Sequence, residues 1–410
     1  MSLNRVVITG CGAISPYGQG VAALVDGVWA SRATVQAMPE WGRIDGLHSL
    51  LAAPVPELAV KELLSRNLRR TMGPMAIYAT LAAREAVAQA ALNEDYLASG
   101  EVGVAVGSTT GSPSAYEDFY RRYLPDEAID GIKSGEFFKI MGHSCAANVC
   151  LALGIRGEQW APVSACASSC QAIGLGYLLI KSGRQQAMLC GGADEVHPSV
   201  TGVFDVVRAA SQRNGQPASS PRPFDRDRDG VVCGGGSGIL VLENYQAACA
   251  RGATILGEII GFGNVSDSEH IANPHEDAMA GAMRKAMAEA GVEGSQVDYV
   301  NAHATGTLQG DLAEARAIGM VLGPGAAVSS CKGHIGHTLG AAAALESIVV
   351  LEMLRRQEAV PTLNLENPDP ECAVVDLIKK VEKRNLNMVL KNNFALGGVN
   401  SALVIRRQES

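Results

Sequence analysis

Val102-Gly103-Val104-Ala105-Val106 runs straight into the turn Gly107-Ser108-Thr109-Thr110-Gly111, and much later Val297-Asp298-Tyr299-Val300 runs into Asn301-Ala302-His303-Ala304-Thr305-Gly306-Thr307. Each run is short, apolar and rich in valine, as a buried strand closed by a small-residue turn should be. An alanine-rich helix precedes each one. Ala76, Ala79, Ala83, Ala86 and Ala90 mark one stripe at helical spacing, and residues 280–290 hold the other. The match continues further along. Val163-Ser164-Ala165-Cys166 opens a helix expected to reach about Lys181, and Val328-Ser329-Ser330-Cys331 opens one expected to reach about Arg355. Each half then closes on an expected hairpin, 188–190 with 239–243 and 388–390 with 402–405. One unit is written twice, so the sequence predicts an α/β fold of two halves, 1–247 and 248–410. The first half carries an insertion at about 112–147 that holds Tyr116, Phe119, Tyr120, Arg121 and Arg122. An insertion in one copy of a repeat commonly lies on one face and serves recognition or assembly.

Composition narrows the functional classes. Of 410 residues, 47% are hydrophobic, only 5% are aromatic and 46 are glycine, which suits helices packed closely onto sheets. The formal charge of −8 argues against a general nucleic-acid binder, so an anionic partner must meet a local basic patch. No apolar run reaches the roughly 18–20 residues that span a bilayer, so no membrane insertion is expected. Met1-Ser2-Leu3-Asn4-Arg5 leads directly into a strand-like segment without the apolar stretch of a signal peptide. The 10 cysteines are scattered, with no pairing that suggests zinc or a disulfide framework. The expectation is a reduced, cytoplasmic protein without a bound metal.

Three side chains stand at chemically useful places. Cys166 lies where an extended segment meets a helix, so the expected helix N-terminus should favour its thiolate. A buried inert thiol is the ordinary reading for any one cysteine, and Cys11, Cys145, Cys150, Cys190, Cys249 and Cys372 are assigned to it. Cys170, one turn after Cys166, is expected to be a neighbour without a role. His303 follows a strand, and His337 lies in Lys332-Gly333-His334-Ile335-Gly336-His337-Thr338-Leu339-Gly340 at the start of a small-residue helix. Either histidine alone would pass for a satisfied polar residue. Their matching places in the repeat suggest convergence with the cysteine on one cleft.

Several ordered motifs now support a resemblance. Val6-Val7-Ile8-Thr9-Gly10-Cys11-Gly12, the Cys166 segment, Arg222-Pro223-Phe224-Asp225 with its charged continuation to Gly230, the His303 turn with Gly310-Asp311, residues 332–340 and Gly397-Gly398-Val399-Asn400 span the chain. In these it resembles the β-ketoacyl-acyl carrier protein synthases of types I and II. The resemblance implies a duplicated thiolase-like fold, layered α-β-α-β-α, with two sheets related by the repeat. It implies a decarboxylative condensation of an acyl thioester with malonyl-acyl carrier protein, in fatty-acid or specialised polyketide synthesis. Cys166 would hold the acyl chain, while His303 and His337 would assist decarboxylation and stabilise the enolate. Lys332 would balance charge, paired with Glu314, and the amides of Cys166 and Leu396 would form the oxyanion hole. No cofactor is expected beyond the carrier's own phosphopantetheine. The protein would form a homodimer, or a heterodimer with a related chain-length subunit. Arg66, Arg69 and Arg70 cluster, and Arg208 and Arg213 flank another loop. Arg66, Arg70 and above all Arg208 are the expected docking residues for an acidic carrier.

The chain departs from the family pattern at Ala304, Gln171 and the C-terminal turn. There Ala395-Leu396-Gly397-Gly398 stands for Gly-Phe-Gly-Gly, so Leu396 replaces the aromatic gate over the acyl pocket. Two competing readings are a thiolase and a non-catalytic chain-length partner. The first needs a second cysteine between Asn392 and Asn400, where none stands, and the second would lack Cys166.

Overall fold

The computed structural model describes residues 3–408. Eleven strands follow one hydrogen-bonded path: β1 (Val6–Ser15), β2 (Val102–Gly107), β3 (Gln159–Trp160), β4 (Ala187–Asp194), β5 (Gly236–Asn244), β6 (Gly257–Ser266), β7 (Tyr299–Asn301), β8 (Ala327–Ser329), β9 (Asp376–Leu377), β10 (Met388–Ala395) and β11 (Val399–Arg406). Their spatial order is β9-β8-β7-β10-β11-β6-β1-β5-β4-β2-β3. Reading outward from the centre, β1-β5-β4-β2-β3 matches β6-β11-β10-β7-β8. Both wings begin with antiparallel pairs and end with parallel ones. The two expected sheets are therefore wings of one path, joined where Val6, Val7 and Ile8 pair with Ile259, Glu258 and Gly257. Both expected hairpins form, with Leu189 opposite Val241 and Leu390 opposite Val404.

The main helices are α1 (Pro74–Ala90), α2 (Pro113–Tyr123), α3 (Ser134–Ile140), α4 (Ser144–Leu153), α5 (Ser168–Lys181), α6 (Pro198–Val206), α7 (Glu276–Ala290), α8 (Leu308–Leu322) and α9 (Ala342–Arg356). Strand alternation sorts the side chains into layers. Met188, Leu240, Val389 and Leu403 face a central core with α5 and α9, whereas Leu189 and Val241 face α1 and Leu390 and Val404 face α7. The result is five layers, α-β-α-β-α.

The small-residue composition has a direct structural use. A Cβ on Gly12 would stand 1.9 Å from the carbonyl oxygen of Ala82 in α1, and one on Gly263 would stand 2.0 Å from that of Ala282 in α7. Each outer helix lies on its strand at a distance only glycine permits, and the alanine stripes form the other side of that contact. The insertion folds as α2, α3 and the start of α4. No described helix is long and apolar enough to cross a membrane.

One expected correspondence changes. The long helix predicted from Cys331 is broken into a short helix Lys332–Ile335, a loop, a 3-10 turn Leu339–Ala341 and then α9. Cys166 lies in the 3-10 turn Ala165–Ala167 that precedes α5. Both 3-10 turns open on a non-glycine residue with positive φ, Ala165 at 46° and Leu339 at 52°. The positional counterpart of Cys166 is therefore Gly340, not Cys331. The connection from strand to turn is 330–338 in the second half against 161–164 in the first, so the second half inserts about five residues into the stretch that holds Lys332 and His337.

Candidate active site

Cys166, His303 and His337 meet. Cys166 Sγ and one ring nitrogen of each histidine all lie within 4.8 Å of one another. Each comes from the end of a strand or turn: Cys166 from the 3-10 turn before α5, His303 from the turn after β7, and His337 from the loop between Ile335 and Leu339. The two imidazoles meet edge to face at 5.2 Å between ring centroids, and Phe394 of β10 stands edge-on to His303 at 6.1 Å. Among the described residues, neither ring nitrogen of His337 and not Nδ1 of His303 has a hydrogen-bond partner. These polar atoms are free to bind something that enters.

The entry route is a cleft of about 820 Å³ lined on one side by Cys166, Thr109, Leu339 and Leu396. Its outer walls come from α2 (Pro113, Tyr116, Glu117, Tyr120) and from the His197 to Val206 segment. Most of this surface is apolar, as an acyl chain requires. Leu396, 43% exposed, stands at the mouth.

Burial decides the charge states. It pushes the Cys166 thiol up to about 12, against a smaller opposing pull from Lys332. Burial therefore favours a neutral thiol where a thiolate was expected: Cys166 sits in the 3-10 turn ahead of α5, and desolvation exceeds the opposing pulls of Lys332 and of a backbone hydrogen bond. Burial, then the charge of Lys332, holds both imidazoles well below 6.5. At rest the site contains a neutral thiol beside two neutral imidazoles, an arrangement in which the proton can pass from sulfur to nitrogen.

Lys332 does not pair with Glu314. Its Nζ lies 2.7 Å from Glu346 Oε1 in α9, and Lys391 Nζ of β10 lies 2.7 Å from Glu346 Oε2. Glu314 instead accepts the amides of His303 (2.8 Å) and Ala304 (2.7 Å) and the side-chain amide of Asn392 (3.1 Å). It fixes the backbone that carries His303. Asp311, a helical turn before Glu314, does the same for the neighbouring backbone, accepting the amides of Phe224, Thr305 and Gly306. The charged stretch 225–229 is a brace: Arg228 donates to Asp369 at 2.6 Å, and Asp225 accepts the amides of Glu366 and Asn367 at 2.8 Å. Cys170 is buried in the central core, its thiol pushed up to about 12.

The carrier-docking candidates are placed unequally. Arg208 is exposed two residues beyond Val206, which lines the cleft. Arg66 and Arg70 are also exposed but do not line it, and Arg213 is tied to Asp229 at 3.3 Å.

Residues 3–248 match the β-ketoacyl synthase N-terminal domain, and residues 256–366 match the C-terminal domain of the same family. The chain belongs to the β-ketoacyl synthase family. It is 34% identical to 3-oxoacyl-[acyl-carrier-protein] synthase 2 of Vibrio cholerae over 99% of this chain and 100% of that one. The Synechocystis enzyme of the same name is 33% identical over 99% of each chain. Among solved structures, a β-ketoacyl synthase from Burkholderia phymatum superposes with a TM-score of 0.96 at 40% identity, covering 99% of this chain and all of that one. The ishigamide ketosynthase/chain length factor superposes with a TM-score of 0.92 at 30% identity, covering 99% and 100%. In this β-ketoacyl synthase, sequence reasoning missed Glu346, Lys391, Asn392 and Asn393. For Glu346 and Lys391 the signal was charge inside otherwise apolar stretches, Ala344-Leu345-Glu346 and Val389-Leu390-Lys391; the two asparagines gave none.

Proposed function

We propose that this chain condenses an acyl group held on Cys166 with malonyl-acyl carrier protein, releasing carbon dioxide and forming 3-oxoacyl-acyl carrier protein. The observation that carries the reading is the grouping of the cysteine and two neutral imidazoles within 4.8 Å, with Cys166 itself on the wall of an apolar cleft. In the first step the thiol proton moves to an imidazole as Sγ attacks the acyl thioester carbonyl. The C–S bond to the carrier breaks, and its thiolate takes the proton back. The malonyl thioester then sits with its carbonyl oxygen against the two ring N–H groups. Loss of its carboxylate as carbon dioxide leaves an enolate held by those hydrogen bonds. The enolate carbon attacks the Cys166 thioester, the oxyanion rests on the amides of Cys166 and Leu396, and as it collapses the C–S bond breaks and Sγ leaves as a thiolate that takes up one proton from solvent.

Lys332 supports the charge balance, and Glu314 positions His303. We further propose that Arg208, with Arg66 and Arg70, receives an acidic carrier, and that the chain works as a homodimer or beside a related chain-length subunit. We place the division between the halves at 247/248.

The test is incubation with acyl-carrier protein followed by peptide mass spectrometry. One acyl adduct on Cys166 is expected, absent in Cys166→Ala. His303→Ala and His337→Ala should slow release of carbon dioxide from malonyl-carrier by about 10²–10⁴-fold while acylation survives better. An adduct on Cys170 or Cys331, or loss of acylation with decarboxylation intact, would overturn the assignment.

A further inference from the structure

Behind the three reacting side chains lies a buried charge cluster that the condensation chemistry above does not account for. Lys332, Glu346 and Lys391 are each at most 1% exposed. Each ammonium group lies 2.7 Å from one oxygen of Glu346, hydrogen-bonded in the case of Lys332 and ion-paired without hydrogen-bond geometry in the case of Lys391. Two cations share one anion, so the cluster carries a net charge of +1 in a region withdrawn from water. An excess buried charge is costly unless hydrogen bonds satisfy it. Lys391 finds them on its own strand, donating to the carbonyl of Asn392 at 2.6 Å and to Oδ1 of Asn393 at 2.7 Å.

Those two asparagines lead to the reacting groups. Asn393 donates from Nδ2 to the carbonyl of Cys166 at 3.4 Å. Asn392 donates from Nδ2 to Glu314, which in turn holds the amide of His303. Strand alternation makes this possible, since successive residues of β10 point to opposite faces and so reach the nucleophile from one and the His303 turn from the other. A single lysine thus touches the support of two of the three, Cys166 through Asn393 and His303 through Asn392, and it reaches Lys332 through Glu346.

We propose that Lys391 is a positioning residue that sets the charge of the catalytic chamber: by sharing Glu346 with Lys332 it leaves one uncompensated positive charge behind His303, His337 and Cys166. That charge does two things. It opposes protonation of both imidazoles, keeping them as neutral donors, and it attracts the negative charge that develops on the enolate as carbon dioxide leaves. The direction agrees with the field at the site, where Lys391 adds to burial and to Lys332 in holding both histidines well below 6.5. The titratable groups around the cluster are Cys170 from α5, Cys331 beside Lys332, Tyr299 from β7 and Glu314 from α8. Burial keeps the cysteines and the tyrosine neutral, so none of these cancels the charge; Glu314, pushed up to about 7, offsets it only as it ionises, and the excess positive charge is fullest below that pH.

The inference rests on the proposed condensation, and its test separates the two. Lys391→Met removes the charge and leaves Lys332 and Glu346 as a one-to-one pair. Lys391→Gln removes the charge but keeps a donor for the Asn392 carbonyl and Asn393. Lys391→Met with Glu346→Gln returns the cluster to a single uncompensated cation. Two quantities are read for each: imidazole titration by ¹⁵N NMR, and the rate of carbon dioxide release from malonyl-carrier against pH. Both single variants should move the His303 and His337 titrations, and the acid limb of decarboxylation, to higher pH. Their decarboxylation rate should fall roughly tenfold, the order of losing one unit charge from a low-dielectric site. The double variant should move titration and rate back toward the wild type. Titrations that stay put, a full rescue by Gln alone, or a double variant no nearer the wild type than Lys391→Met would each overturn the charge role. A wild-type protein that releases no carbon dioxide would sink the condensation reading, while the NMR titrations would still decide the charge. Should Lys391→Met fail to fold, Lys391→Gln alone and Lys391→Gln with Glu346→Gln carry the same comparison.

Discussion

Glu314 shows how much at this site is decided by burial. Its carboxylate accepts three hydrogen bonds, each of which favours the ionised form, yet desolvation outweighs them and pushes the group up to about 7. The folded value stands above the ordinary 4.5. The native state therefore binds a proton more tightly than the unfolded chain, and the associated stability is present below about pH 4.5 and lost as pH rises toward 7. Glu314→Gln cannot titrate. Chemical denaturation at about pH 5 and about pH 7.5 should show wild-type stability falling relative to the variant, by at most about 3 kcal/mol. The two buried histidines bias stability the opposite way, but they do so in both proteins and cancel in the difference. Parallel stability curves for wild type and variant would mean that Glu314 stays ionised throughout, anchored by the amides of His303 and Ala304.

Among the elements, the β10–β11 turn most distinguishes this chain from the pattern it otherwise follows. Gly397 donates its N–H to the carbonyl of Ile271 at 2.7 Å, and Gly398 accepts from the amide of Asp267 at 2.7 Å. A Cβ on Gly398 would stand 2.1 Å from the Asp267 carbonyl oxygen, so the turn is seated against that loop. A turn held at both glycines is a poor hinge. Widening of the cleft mouth then falls to the Leu396 side chain, which can change rotamer where a ring would need the loop to move. Leu396→Phe should lower kcat/KM for rigid or polyunsaturated acyl chains by about tenfold, while short saturated chains are spared. Equal losses across a chain panel would place the damage at the oxyanion amide and rule out the gate. The departure at Leu396 was legible in the sequence because it breaks a motif. So were Cys166, His303 and His337, each in a small-residue turn after an apolar strand. The partner of Lys332 was not. Glu346 lies fourteen positions away in a helix whose first turns are all buried. Periodicity has nothing to say about a charge on a helix without a wet face. The same blindness affected the broken helix after Cys331, whose Gly336 and Leu339 backbone turns interrupt a stretch that reads as continuous.

At the scale of the whole molecule, the question is whether two copies of one unit behave as two domains. The central core answers through its membership. Val6, Ile8 and Leu240 from one wing share it with Val389, Leu403 and Ile405 from the other, with α5 and α9 between them. Neither half can bury its inner face without the other, and the candidate site takes Cys166 from one and both histidines from the other. Cooperative unfolding as one unit follows, although the outer contacts are separate and nearly identical. This can be tested at those outer contacts. Gly12→Ala and Gly263→Ala each drive a methyl group into an outer-helix carbonyl, at 1.9 Å and 2.0 Å, on opposite wings. Each should cost about 1–3 kcal/mol through backbone shift, as overpacking does. Because the wings share a core, both variants should still unfold in a single transition, displaced to lower denaturant by similar amounts. Circular dichroism followed in parallel with alkylation of the buried Cys145 on the first wing and Cys372 on the second would report both wings. Were Gly12→Ala to split unfolding into two steps, with the second wing persisting after the first is lost, the halves would be independent domains and the shared core would be only a contact between them.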